Sequence, residues 1–280
     1  MQKTSFFKIF MTKLKTDPIP DWSATLAYYF MLSIFPLLIF ILALIPYFQF
    51  DLDTVYSFIN DYIPEGLADT LSTTILQVIS EPQGGLVSFG VLATIWSASN
   101  GVNALIRAVN RSYNTEETRN FIKLRLLSIL LTIAMIIVIV VTLLLPVFGH
   151  VIIETLETYF SLPHETANVL NRLRWIIGIG LMTFVLMILY RVAPNIPLTF
   201  KQVIVGAVTA TVGWQIISLL FSSYVSNFGN YTATYGSLGG VIILMLWFFL
   251  TGLILVIGGE INATLFQQKH QSTNNQMKPK

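Results

Sequence analysis

Four residues, Trp96, Asn100, Asn103 and Arg107, fall at i, i+4, i+7 and i+11 in an otherwise apolar stretch, which puts them on one face of a helix. Polar side chains in lipid turn toward protein or a water-filled cavity, because exposing them to hydrocarbon is costly. Such a row serves either as interhelical hydrogen-bond glue, worth about 1 kcal/mol per contact, or as one wall of a path for a solute or lipid headgroup. Glu260 is the lone acid inside the apolar stretches of the chain. It lies about as far along its stretch as Arg107 lies along its own. At about 1.5 Å rise per residue the two reach similar depth, so an ion pair between them is geometrically allowed. That pair would lock two helices, or would serve as a gate or proton-coupled carboxylate.

Backbone proximity is the second theme. Gly236, Gly239 and Gly240 open the last apolar stretch, Gly252, Gly258 and Gly259 continue it, and Gly206 and Gly213 lie in the one before. Glycines at this density either let helices approach closely or mark irregular backbone that lines a cavity. Pro36 and Pro46 in the first stretch predict a kink there.

Enzyme chemistry is poorly served. His150, His164 and His270 are scattered, and the chain has no cysteine, which excludes disulfides and thiolate metal sites. Asp51 and Asp53 read as helix caps. No nucleophile elbow, paired-histidine zinc motif or phosphate-binding loop occurs. The reading is therefore no enzyme, no metal and no cofactor.

The elements that position these residues follow from hydropathy. Hydrophobic residues make up 54% of the 280 and charged residues 11%, far from an ordinary soluble composition. Six apolar stretches, about 24–48, 86–106, 126–149, 175–190, 203–226 and 239–262, match the roughly 20 residues needed to cross a bilayer. Of 16 Lys and Arg, 14 lie in the two tails and the second and fourth gaps; Arg172 and Arg174 are the exceptions. The positive-inside rule then places both termini in the cytoplasm. The expected fold is all-α: a six-helix multi-pass membrane bundle, with the first span acting as an uncleaved insertion signal.

Residues 1–20 read as an amphipathic helix on the inner leaflet, with Lys3, Lys8, Lys13 and Lys15 near anionic headgroups and Pro18 and Pro20 ending it. Residues 51–82 read as two amphipathic outer helices split at Pro64 and Gly66, and a further short outer helix is expected after Pro163. The bundle spans 21–266, and the polar tail 267–280 is expected to be disordered. Basic residues from Arg107 to Arg125 serve topology by default and lipid phosphate as the functional alternative.

The stretch Ser23–Pro36, with Tyr28 and Tyr29, resembles the first-span signature of the YihY/BrkB family of bacterial inner-membrane proteins. So do Trp96–Arg111 and the block from Tyr235 through Gly259, Glu260, Asn262 and Ala263. The resemblance covers about residues 6–266. By position it makes Tyr28, Tyr29, Pro36, Trp96, Ser97, Asn100, Arg107, Gly236, Gly239, Gly240, Glu260 and Asn262 family-motif residues, without saying which touch a substrate. It implies a multi-pass inner-membrane protein whose old ribonuclease label is considered mistaken, and whose virulence name comes from serum resistance in one relative. Some members are connected with movement of envelope lipids. The reading is thus a passive or ion-coupled translocator of lipid or a small solute, with Trp96, Asn100, Asn103, Arg107 and Glu260 as its path. Pro36, Gly236, Gly239, Gly240 and Gly259 would serve packing or gating. The alternative is a non-transporting scaffold for envelope assembly. Membrane lipids are the expected partners, with a second copy or an envelope protein possible and no nucleic acid.

Overall fold

The computed structural model describes residues 5–44, 47, 84–160, 164–227 and 237–276, and all of its regular structure is helical. Seven helices follow in order: α1 Phe6–Thr16, α2 Ile19–Leu44, α3 Gly84–Ser112, α4 Phe121–Phe160, α5 His164–Val192, α6 Phe200–Asn227 and α7 Ser237–Gln276. Five contain stretches long and apolar enough to cross a membrane: Ile19–Leu44, Gly84–Ser112, Phe121–Val140, Phe200–Val225 and Gly239–His270. The expected span at 175–190 coincides with the shorter apolar run Ile176–Val192 of α5. Large apolar side chains lie exposed along these helices, Leu219 at 71% and Leu130 at 65% among them. Water would not tolerate that pattern, whereas hydrocarbon is its natural solvent.

Local chemistry sets the helix ends. Asn120 caps α4 by accepting from the Lys123 amide at 2.9 Å. Gln202 Oε1 reaches back to the Thr199 amide at 2.8 Å, one arm of a capping box that starts α6. α3 ends where Asn114 takes a left-handed conformation, φ 54°, and the Thr115 amide bonds the Asn110 carbonyl at 2.9 Å. Asp17 closes α1, its amide bonding the Lys13 carbonyl at 2.8 Å. Pro20 then sits in the first turn of α2, where its missing N–H costs nothing.

Three expectations are corrected. His164 does begin a helix, but it runs unbroken to Val192 and is no separate outer element. The preceding residues to Phe160 extend α4. The tail continues α7 to Gln276, because a polar run with good helix formers extends a helix already nucleated within the bundle. The amphipathic helices expected at 51–82, Pro46, and Gly236 all lie outside the described residues.

The chain forms two compact units whose boundaries fall within α2 and α3. The smaller, Tyr29–Ala98, contains Pro36 inside α2 and the start of α3. In it Gly90 meets the Phe40 backbone so closely that a Cβ would lie 2.8 Å away, and Thr94 Oγ1 bonds the Gly90 carbonyl at 2.6 Å. The larger unit, Met1–Tyr28 with Ser99–Lys280, holds the tightest helix contacts. α6 and α7 run antiparallel, Gly206 against Gly258 and Gly213 against Ile254. A Cβ on Gly206 would collide with the Gly258 carbonyl, and one on Gly258 with the Tyr190 hydroxyl. Small residues here let two backbones touch. Gly259 packs on Val109 of α3, a Cβ there lying 3.1 Å from Cγ2. A Cβ on Gly240 would meet nothing within 4 Å among the described residues.

Candidate functional site: a buried ion pair

α7 carries Glu260 into the larger unit fully buried, and α1 brings a lysine to meet it. Lys13 Nζ donates to Glu260 Oε2 at 3.1 Å and also to the Ser112 carbonyl. The Ser112 hydroxyl lies 2.5 Å from Glu260 Oε1 and 3.1 Å from the Ala108 carbonyl. A hydroxyl has one proton, and the charged acceptor at shorter distance takes it. Asp17 Oδ2 stands 3.9 Å from Lys13 Nζ. The buried Glu260 carboxyl is thus met by one ammonium and one hydroxyl from two other helices.

Tyr113 closes the site. Its ring meets Phe266 edge-on at 5.5 Å between centroids, and its buried hydroxyl has no hydrogen-bond partner among the described residues. Burial, and secondarily the Glu260 charge, push the phenol above its ordinary pKa. Two residues further along α7, and so on nearly the opposite face, Asn262 binds α6: its Oδ1 accepts from the Gly206 amide at 2.7 Å and its Nδ2 donates to the Val203 carbonyl at 3.1 Å. Tyr190 of α5 donates to the Leu255 carbonyl at 2.7 Å. Glu260 is therefore held on a helix fixed on several sides.

Two loops interlock at the same end of this unit. Arg119 donates to the carbonyls of Val192, Ala193 and Pro194 at 2.9–3.1 Å, capping the negative end of α5. Asn195 receives nothing less firm: its amide bonds Asn110 Oδ1 at 2.7 Å and its side chain donates to Thr118 Oγ1 at 2.7 Å. The second and fourth gaps, both read from sequence as basic, are thus neighbours in space.

The residues singled out from sequence do not form one site. Glu260 pairs with Lys13 and Ser112, and Arg107 is exposed with no ion-pair partner among the described residues. Glu260 meets α3 at Ser112, five residues beyond Arg107, about 7.5 Å further along the helix and about 140° around it, which places Arg107 away from Glu260. Asn100 accepts from Arg125 Nη1 of α4 at 2.6 Å. Asn103 is half-buried with its Oδ1 unpartnered among the described residues, and Trp96 is 55% exposed in the smaller unit. Lys13 is also corrected: it is buried in protein at 7% exposure, where the sequence placed it among headgroups. Nothing in its spacing separates it from Lys8 or Lys15. Asp17 one turn on was the available hint.

Apolar helices of spanning length around a buried charge define a multi-pass membrane protein. The model of the virulence factor BrkB family matches residues 10–280, and the chain belongs to that family. It is 44% identical over 265 residues to the putative ribonuclease-like protein YfkH of Bacillus subtilis, covering 95% of this chain and 96% of the relative. A UPF0761 membrane protein of Tolumonas auensis is 24% identical over 294 residues, covering 100% of this chain and 91% of that one. A third relative, a UPF0761 membrane protein of Alteromonas mediterranea, is 25% identical over 272 residues, with 94% and 88% covered. No solved structure matches the chain.

Proposed function

We propose that this protein is a multi-pass component of the bacterial cytoplasmic membrane, with both termini inside, that translocates lipid or a small solute passively or coupled to an ion. The observation that carries the reading is Glu260, a fully buried carboxylate within the apolar stretch Gly239–His270, paired to a lysine from another helix. Ionisable groups at membrane depth are expensive and accompany transport paths more often than inert packing. The distribution of 14 of 16 Lys and Arg supports the orientation. Asn103 with its unpartnered oxygen, Asn100, Trp96 and Arg107 remain the residues we assign to the path along α3.

The printed name of the Bacillus relative is not carried over. Among the described residues no three His, Cys, Asp or Glu side chains come together, as metal-assisted cleavage of a phosphodiester requires. The test is exchange of fluorescent phospholipid between leaflets of liposomes holding the purified protein. Rapid exchange that falls at least tenfold in Glu260→Gln, with folding unchanged, is the expected result. Absence of exchange in the folded wild type, with and without a proton gradient, removes lipid translocation and favours the scaffold reading.

A further inference from the structure

The Lys13 ammonium sits in an arrangement of oxygens drawn from three helices or their ends. Glu260 Oε2 is at 3.1 Å, the Ser112 carbonyl in direct contact, and Asp17 Oδ2 at 3.9 Å. Ser112 is the last residue of α3, so its carbonyl lies at the negative end of that helix dipole. Two carboxylates against one ammonium leave the cradle a net charge of −1. The Tyr113 hydroxyl, on a side chain only 6% exposed, lies within the Glu260 field without a hydrogen-bond partner among the described residues.

Access exists as well. A groove of about 280 Å³ runs along α1 to Lys13, lined by Lys8, Thr12, Asp17, Asn114 and Gln267. α1 rests on α7 and joins α2 through Asp17 and Pro18 alone. Phe7 on α1 is 64% exposed and Met11 37%, on the side of the helix away from Lys13. Hard oxygen donors of net negative charge suit a small cation better than an anion.

We propose that the oxygens of Glu260, Ser112 and Asp17 form a binding site for a small monovalent cation, a primary ammonium or a sodium ion, which Lys13 fills as a tethered occupant while α1 is docked. A free cation and α1 then compete for one position. The proposal stands apart from the transport reading, because binding is measured without a transported substrate.

The experiment uses the full chain in detergent at constant ionic strength, with choline chloride exchanged for methylammonium or sodium chloride. Lys13→Ala is expected to lower Tm and to gain saturable stabilisation by methylammonium of several degrees. Tetramethylammonium, which has no N–H, should give none, and neither should Lys13→Ala combined with Glu260→Gln. The absence of native cysteine allows a second arm with Lys13 intact, spin labels at Met11→Cys and His270→Cys. There methylammonium or sodium should shift the distance distribution to longer values, and Glu260→Gln should show the long distances without added cation. A methylammonium response that is missing, or that survives Glu260→Gln, overturns the site. Label distances indifferent to cation overturn the competition, and this second arm decides alone if Lys13→Ala does not fold.

Discussion

Lys13 on the first helix and Glu260 on the last meet at 3.1 Å across 247 positions of sequence. Both are buried, so removing one charge strands the other in a medium that cannot hydrate it. Lys13→Met should therefore destabilise the protein by about 3–5 kcal/mol. Lys13→Met with Glu260→Gln should recover much of that loss. Unfolding of the four proteins of the double-mutant cycle in mixed micelles measures the coupling, and additive effects would show that the pair is energetically idle.

Gly206→Ala should cost about 1–3 kcal/mol or prevent folding, since its Cβ would occupy the space of the Gly258 carbonyl. Gly240→Ala, with nothing within 4 Å of the added carbon, should stay within about 0.5 kcal/mol of wild type. Thermal unfolding of the two variants side by side separates close packing from general intolerance of alanine.

Asn262→Leu keeps the branched heavy-atom shape, though it is bulkier, and leaves the Val203 carbonyl and Gly206 amide without its amide group. A loss of about 1–3 kcal/mol is expected, with Asn262→Asp also destabilising because a carboxylate cannot donate to Val203. Equal stability of Asn262→Leu and wild type would mean that helix bonds alone satisfy both groups.

Arg119→Lys should loosen both loops, because a lysine cannot bond three carbonyls with a planar fork. Amide exchange at 113–120 and at 193–199 should accelerate together, at least tenfold. Acceleration confined to 113–120 would show that the loops are independent.

Arg107→Ala is expected to leave Tm unchanged, since the side chain is exposed and bears no ion pair among the described residues. A loss of lipid exchange in this variant would then report on the path itself. Unchanged exchange would remove Arg107 from it.

Much of the fold was legible because its determinants are local. The long apolar runs announce the spanning helices without help from distant residues, whereas the caps at Asn120 and Thr199 with Gln202 emerge only from the structure. α7 beyond Gln267 was not legible, since its polar residues are helical by continuation of a helix built elsewhere. The site was half legible. Glu260 stood out by charge in an apolar stretch, but its partner is chosen by how α1 folds back on α7, and pairwise depth carries no rotation. Arg107 lies about five residues short of the contact and on another face of α3; Lys13 was hidden among similar lysines.

The order in which a ribosome makes this chain gives the Lys13–Glu260 contact a further meaning. The lysine is synthesised before its partner, which emerges only after helices α2 to α6 have been made. Throughout that interval the ammonium must stay hydrated outside the bilayer, because no carboxylate yet exists to receive it. Nascent chains halted before α7 should therefore carry an α1 open to proteases, and full-length chains should protect it. A single charge pair thereby registers that α7 has arrived.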